Sequence, residues 1–516
     1  MGDDDQRNTR RRPIRPCPVQ QNSRLVDQPM NVVCCHRLFR ALLCGWIAAI
    51  TLMVGTAGAE SPKNVLMICV DDLKPNIGCF GDPVAVTPNI DALAQRGVSF
   101  QSAYCNQAVC APSRNSLMTG LRPQTIGVYD LSTHFRDAAP DVVTVGEHFQ
   151  KFGYQVQGLG KIYHTGHGNH DDKQTWTVPS WRPKGSQYVH PDSLANRVKD
   201  SRGRLRGPAT EAADVPDDTY SDGKIADEAV RRLQQSASNP GQPFFLAVGF
   251  LKPHLPFIAP QKYWDLYDPQ SLPMPVFRQA PQGAPEYAPT KWGELRSYSD
   301  VPNEGPLPKA MPRNLIHGYY AATSYIDAQI GKVLDELNRL QLADQTVVVL
   351  WGDHGWHLGD HDMWCKHTNY EQAARIPVVV AAPQGAKGQA TESLIETVDI
   401  YPTLAELAGI DAPDGLDGRS FAAVVRDPKQ TTRPFITHVY PRSGRLGRAI
   451  RTPRYRLVQW AAIKGGDQGV DLELYDYQND PLETKNVAEE NPKVVQELLK
   501  YLGRQSAPKQ AWKPQG

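Results

Sequence analysis

The chain has 516 residues, well past the roughly 250–300 that one hydrophobic core usually serves, so a large domain with a smaller companion is expected. Hydrophobic residues at 40% and aromatics at 8% suit a globular protein. Lys and Arg number 56 against 55 Asp and Glu, and a formal charge of +1 excludes a globally basic binder of nucleic acid or anionic membrane.

Residues 1–29 are arginine-rich and polar, without periodicity. Arg37-Leu38-Phe39-Arg40 precede an apolar run over 41–54, followed by Thr56-Ala57-Gly58-Ala59, a small-x-small cleavage pattern. The run falls short of the ~20 residues of a transmembrane helix, so export is the expectation and an uncleaved anchor the alternative. Residues 1–59 are therefore read as an extension plus signal peptide, with Met30 as a second possible start. The protein is expected to be periplasmic or extracellular, with no stable membrane span.

From Asn64 the chain alternates strands and helices. The run 64–70 (NVLMICV) is continuously apolar, as in a strand buried on both faces. A helix follows, with Thr87 as N-cap, Pro88 in its first turn and Gly97 as stop. Further strands are expected at 154–158, 243–250, 346–351 and 376–381. Helices are expected at 222–233 and 319–340, where apolar residues recur at helical spacing. This alternation implies an α/β domain with a mostly parallel sheet, placed at 61–430. Two loop-rich stretches, 165–218 and 259–312, interrupt it, and loops of that length are usually functional.

The texture changes near Arg433. Short strands at 435–440, 448–451, 455–460 and 472–475 and a helix at 492–502 suit a small antiparallel sheet with one helix, so 431–516 is read as a C-terminal α+β subdomain. Cys17, Cys34, Cys35 and Cys44 fall in the leader; Cys69, Cys79, Cys105, Cys110 and Cys365 remain. These are too few for a disulfide scaffold and lack zinc spacing, though one or two bridges are possible.

Polar residues cluster where the strands end. Asp71 and Asp72 follow the first, and Lys161 and His164 the second. His254 follows the third, and Asp353 and His354 follow TVVVLW. Open parallel sheets bind ligands beyond the carboxyl ends of their strands, so these clusters should converge. Two adjacent carboxylates plus a third suit Ca2+ or Mg2+. Cys110 opens a short helix over 113–119 that Gly120 stops, and a helix N-terminus favours an anion. Each cluster also has a plain reading. Asp71-Asp72 could be a capping turn, Gly352-Asp353-His354-Gly355 a bend, His254 a loop residue, Lys161 and His164 a solvated face, and Cys110 a buried thiol. Their coincidence in one order favours a joint site.

The run Cys110-Ala111-Pro112-Ser113-Arg114, continued by NSLMTG, resembles the signature of the type I sulfatases within the alkaline phosphatase superfamily. TPNIDALAQRG at 87–97, Gly160-Lys161, the Pro253-His254 loop and Glu473-Leu474-Tyr475-Asp476 extend the likeness over most of 61–486, closest to the iduronate-2-sulfatase-like branch. The resemblance implies an alkaline-phosphatase/sulfatase-like fold, a large mixed and mostly parallel sheet flanked by helices. It implies oxidation of Cys110 to Cα-formylglycine (3-oxoalanine) by a formylglycine-generating enzyme, and a Ca2+ held by Asp71, Asp72, Asp353, His354 and residue 110. It gives Arg114 a bond to the formylglycine diol and sets Lys161, His164, His254 and Lys366 around the sulfate. His254 would protonate the leaving oxygen, and His164 would accept a proton from the second hydroxyl. His354 stands where many sulfatases carry Asn, and imidazole is softer than Ca2+ prefers.

The implied reaction is hydrolysis of sulfate esters on sulfated carbohydrates, a 2-O-sulfated uronic acid or similar. The alternatives are a phosphodiester or phosphonate monoester hydrolase of the same superfamily, and a non-catalytic binder of sulfated glycans. Arg182, Lys184, Tyr188, Lys291 and Trp292 in the long loops are equally readers of the sugar or plain surface.

Overall fold

Alternate residues of the first strand, β1 (Asn64–Val70), pack into two different cores. Val65, Met67 and Cys69 face one layer of helices, whereas Leu66, Ile68 and Val70 face the other, and all six are fully buried. This is why the strand reads as an unbroken apolar run. The structure, a computed structural model, describes residues 63–200, 203–463, 469–511 and 513. The extension, the signal and the leader cysteines lie outside the described residues.

After β1 come α1 (Pro88–Gln95), β2 (Val98–Tyr104), α2 (Cys110–Thr119), β3 (Gln155–Gly160), α3 (Ser221–Ala237) and β4 (Phe244–Phe250). Then follow α4 (Met311–Arg339), β5 (Thr346–Gly352), β6 (Arg375–Ala381), β7 (Gln389–Thr391), β8 (Ile395–Glu396) and α5 (Ile400–Ala408). The sheet order is β7-β2-β6-β5-β1-β4-β3, with β8 also paired to β2. Only β6 runs against its neighbours β2 and β5; the other pairings are parallel. The fold is thus the expected mixed, mostly parallel sheet flanked by helices. Helices α2 and α5 cover one face, and α1, α3 and α4 the other.

A separate antiparallel sheet, β9 (Ile436–Arg442), β10 (Arg445–Arg451), β11 (Tyr455–Ala462) and β12 (Asp471–Asp476), is packed by α6 (Pro492–Gly503). Val495 and Leu498 of α6 close a small core with Ile450, Leu457 and Leu474. Among the described residues no helix is long and apolar enough to cross a membrane. The five described cysteines are all free, so no bridge forms among them.

Two local expectations are corrected. Thr87 precedes α1, but its hydroxyl accepts from Gly78 N at 3.0 Å and makes no cap. Asp327 of α4 caps instead, accepting from Asn89 N at 3.1 Å and Ile90 N at 2.7 Å. The long helix also begins at Met311 rather than 319, because Leu315 and Ile316 extend its buried face and Pro312 fits its first turn.

Candidate active site

Five strand ends or their following turns meet at one edge of the large sheet. Asp71 and Asp72 leave β1, and Asp353 and His354 leave β5 one strand away. The two turns are laced together: Asp353 N donates to Val70 O at 3.2 Å, and Asp72 N donates to Asp353 Oδ1 at 2.9 Å. Beyond β3 and β4, Lys161 N donates to Gly249 O at 2.8 Å. A Cβ on Gly160 would lie 2.0 Å from that carbonyl, so glycine there lets the two strands close up and aims Lys161 at the site. Helix α2 starts at Cys110 and ends at Gly120, whose φ of 67° is the left-handed C-terminal stop.

Asp71, Asp72, Cys110, Arg114, Asp353 and His354 are each at most 2% exposed. Donor atoms of Asp72, Cys110, Asp353 and His354 all lie within 4.8 Å of one another, and so do those of Asp71, Asp72, Cys110 and His254. His354 Nε2 is 3.3 Å from Cys110 Sγ, 3.3 Å from Asp72 Oδ1 and 3.6 Å from Asp353 Oδ1. Its Nδ1 lies 3.1 Å from Gly355 O; burial would lower the ring's pKa, but Asp353, Asp72 and Cys110 outweigh it and raise it to about 9. An imidazole, two buried carboxylates and a sulfur at mutual contact are a donor set that a cation could draw together once the ring gives up its proton. Burial raises Asp72 despite His254, Lys366 and His354, and it raises Asp353 to about 7 despite His354 and Arg114.

Arg114 is spent on the carboxylates. Its Nε donates to Asp353 Oδ2 and its Nη2 to Asp71 Oδ1, both at 2.9 Å, while Nη1 bonds the Ile162 and Lys161 carbonyls. No hydrogen bond joins it to the Cys110 thiol, so in this structure it fixes two acidic side chains. Burial alone would raise Asp71, but Lys161 and Arg114 outweigh it and hold the carboxyl well below its usual range.

Above this floor lie the cations. Lys161 Nζ bonds Asp71 and stands 3.7 Å from Cys110 Sγ. Lys366 Nζ is 3.1 Å from Asp72 Oδ2. Burial would raise the Cys110 thiol, yet Lys161, Lys366 and His354 outweigh it and hold it well below the ordinary value. His254 Nε2 is 3.9 Å from Asp72 Oδ2, and its Nδ1 is 2.6 Å from Leu255 O. His164 Nε2 is 3.1 Å from His167 Nδ1, and among the described residues no hydrogen bond joins His164 to Cys110 or to the acidic residues. Lys161, His164, His254, Lys366, Cys110 and Asp71 nevertheless line one cavity of about 580 Å3.

Glu294 was missed in the sequence. It comes from the second long loop, and its carboxylate bridges His254 Nε2 at 3.0 Å and Lys366 Nζ at 2.8 Å. A single acid in a prolyl loop carries no periodic or spacing signal. Among the loop candidates, Arg182 lines the cavity. Tyr188 is buried with its hydroxyl on Pro208 O at 2.8 Å, Arg296 stacks over Trp292 at 3.6 Å, and Lys184 and Lys291 are exposed.

Residues 63–410 match the family model described as Sulfatase, and residues 359–508 match N-sulphoglucosamine sulphohydrolase, C-terminal. The chain is 31% identical to the iduronate 2-sulfatase of Mus musculus over 525 residues, covering 87% of this chain and 95% of that protein. Among solved structures it resembles BT4656 in complex with its substrate D-glucosamine-2-N,6-O-disulfate, with a TM-score of 0.68, 20% identity and coverage of 86% and 97%. It resembles equally the phosphonate monoester hydrolase of Silicibacter pomeroyi, with a TM-score of 0.68, 21% identity and coverage of 87% and 100%. At these identities the two structures speak to the fold alone.

Proposed function

The chain belongs to the sulfatase family and is a sulfuric ester hydrolase, and from that premise we propose that it cleaves sulfate esters on sulfated carbohydrates, a 2-O-sulfated uronic acid or a similar sugar. The observation that carries this reading is the layered site. Asp71, Asp72, Asp353 and His354 form an acidic floor around Cys110, while Lys161, Lys366 and His254 stand over it in an open cavity.

Asp71, Asp72, Asp353, His354 and residue 110 would hold Ca2+, with Mg2+ second, since carboxylate oxygens dominate the set. Bound there, the ion would supply positive charge against the sulfate oxygens, and Cys110 converted to formylglycine would supply a hydrated aldehyde as nucleophile. The rest falls to the chain's own groups. Lys161 Nζ and Lys366 Nζ flank the thiol position and bind the sulfate oxygens, meeting the charge that grows on them. His254 keeps its proton: burial would depress it, but Asp72, Asp71 and Glu294 outweigh burial and hold it up to about 10. His254 lines the cavity, and its Nε2, 3.0 Å from the Glu294 carboxylate, hands that proton to the leaving sugar oxygen. Arg114 keeps Asp71 ionised and orients both Asp71 and Asp353. His164, on the cavity wall, contributes to the sugar side or accepts a proton through its pairing with His167. Maturation calls for a formylglycine-generating enzyme, and the leader read at 1–59 calls for export.

Protein co-expressed with a formylglycine-generating enzyme should release sulfate from aryl sulfate and from sulfated oligosaccharides, with residue 110 carrying the aldehyde by peptide mass spectrometry. The likeness to a phosphonate monoester hydrolase supports a second reading, so an aryl phosphodiester and a phosphonate monoester belong in the panel. Faster turnover of either would replace the sulfatase reading. Tight binding of sulfated sugar with no release would make the protein a binder.

A further inference from the structure

Arg182 has a position that its loop location hides. Trp181 N donates to Gly158 O at 2.9 Å, Gly160 N donates to Trp181 O at 2.8 Å, and Leu159 and Trp181 form a parallel bridge. Residue 181 thus extends the sheet by one rung beyond β3. Arg182 is thereby set beside the carboxyl end of β3, where Lys161 enters the cavity. Its Nη1 bonds Thr165 Oγ1 and its Nη2 donates to Tyr163 O at 3.2 Å, so the guanidinium is fixed. Neither bond is shared with the Cys110 centre.

The other cavity cations are matched. Lys161 bonds Asp71, Lys366 bonds Asp72 and Glu294, and Arg204 and Arg206 both bond Asp200. Lys252 lacks a carboxylate but donates to the carbonyls of His254 at 2.7 Å and Pro256 at 2.8 Å. Arg182 has neither a carboxylate within 4.0 Å among the described residues nor a full set of acceptors. Burial lowers its pKa from the ordinary value, and Asp171 does not offset this. A half-buried guanidinium without a counter-charge is costly to keep in a folded chain, and a planar fork is suited to a bidentate oxyanion. A cavity of about 580 Å3 is sugar-sized and has room well beyond one sulfate.

We propose that Arg182 is an anion-recognising residue of a second subsite, where it binds a carboxylate or a second sulfate carried by the sugar bearing the scissile ester or by its neighbour. This rests on the sulfatase reading and makes the preferred substrate at least doubly anionic.

The test compares Arg182→Met and Arg182→Lys with the parent on three substrates: an aryl sulfate, a neutral sugar monosulfate, and sugars bearing the sulfate plus a carboxylate or a second sulfate. For the doubly anionic sugars, Arg182→Met should raise KM about 10–100-fold more than for the two singly charged substrates, the range for a charged hydrogen-bonded pair. Arg182→Lys should fall between, since it keeps charge but loses the fork. The carboxylate and disulfate arms tell which anion is read. Binding of the same sugars to Cys110→Ala protein, followed by calorimetry with and without Arg182→Met, gives a readout free of turnover. An equal loss on all three substrates, or unchanged affinity in calorimetry, overturns the proposal. If no sulfate is released from any substrate, the sulfatase reading fails, and the calorimetry still decides the anion subsite.

Discussion

Replacing Glu371 by Gln should loosen the tie between the two sheets and do so in a pH-dependent way. Glu371 lies on the turn before β6, yet its carboxylate is held by the C-terminal sheet: Arg451 Nε donates at 3.2 Å, Arg456 Nη2 donates to the same oxygen, and Tyr104 Oη donates to the other at 2.8 Å. Burial would raise its pKa, but Arg451 and Arg456 outweigh it and bring it from 4.5 down to about 2. At 1.36 kcal/mol per pH unit this corresponds to about 3 kcal/mol. Breaking one partner of a buried pair costs about 3–5 kcal/mol, and the lower end applies because Arg456 keeps Glu483 at 2.9 Å. The sign is set by a pKa depressed on folding: the stabilisation is whole above about 4.5 and fades as pH falls toward 2. Thermal unfolding of parent and Glu371→Gln at pH 7 should differ by about 3 °C for a unit this large. Urea denaturation at pH 7, 5, 4 and 3 should show the gap closing as pH drops. A gap as wide at pH 3 as at pH 7, or one below about 1 kcal/mol at pH 7, refutes the reasoning.

Cys110→Ala should abolish sulfate release with an unchanged melting temperature, and Cys110→Ser should accumulate protein-bound sulfate in intact mass spectra; normal turnover by the serine variant would contradict a two-hydroxyl nucleophile. His254→Gln should cost about 10²–10⁴-fold in kcat/KM on a sugar sulfate, whose leaving oxygen needs a proton, and far less on an activated aryl sulfate. Equal losses on both would remove His254 from proton transfer. Dialysis against a chelator should remove activity and Ca2+ should restore it more fully than Mg2+; activity that survives metal analysis at background levels speaks against the cation.

The clusters flanking the site were legible because topology alone sends strand ends to one edge. The run 64–70 announces a strand covered on both faces, and the acids that follow it must surface at the ligand-binding end. The strand β2 escaped notice: Gln101 and Ser102 interrupt its apolar pattern, since only the short β7 and β8 pair along that side. Asp327 as the cap of α1 was invisible, because the cap comes 238 residues later in the chain. Glu294 shares that difficulty, and Arg182 could be named only as one of several loop residues that read the sugar or are plain surface. Each sits in a long loop where no period marks a buried face, and each gains meaning only when Lys366 or the end of β3 arrives beside it.

Where charge is placed in this cavity bears on which residues can be exchanged. The floor is acidic and sealed: Asp72 and Asp353 are fully buried and both pushed toward protonation. The roof is cationic and open, and Glu294 meets both Lys366 and His254 within it. Cys110 stands at the boundary, touching His354 below and Lys161 above at 3.3 and 3.7 Å. An alanine at 110 removes the atom that would become the nucleophile, while the ion pairs between the two layers, Lys161 with Asp71 and Lys366 with Asp72, still hold them together. Removing Arg114 acts differently. Its guanidinium is the link between Asp71 and Asp353, and no other described cation bonds both. Arg114→Met should therefore damage folding itself, and a large fall in melting temperature should accompany its loss of activity, whereas Cys110→Ala loses activity alone.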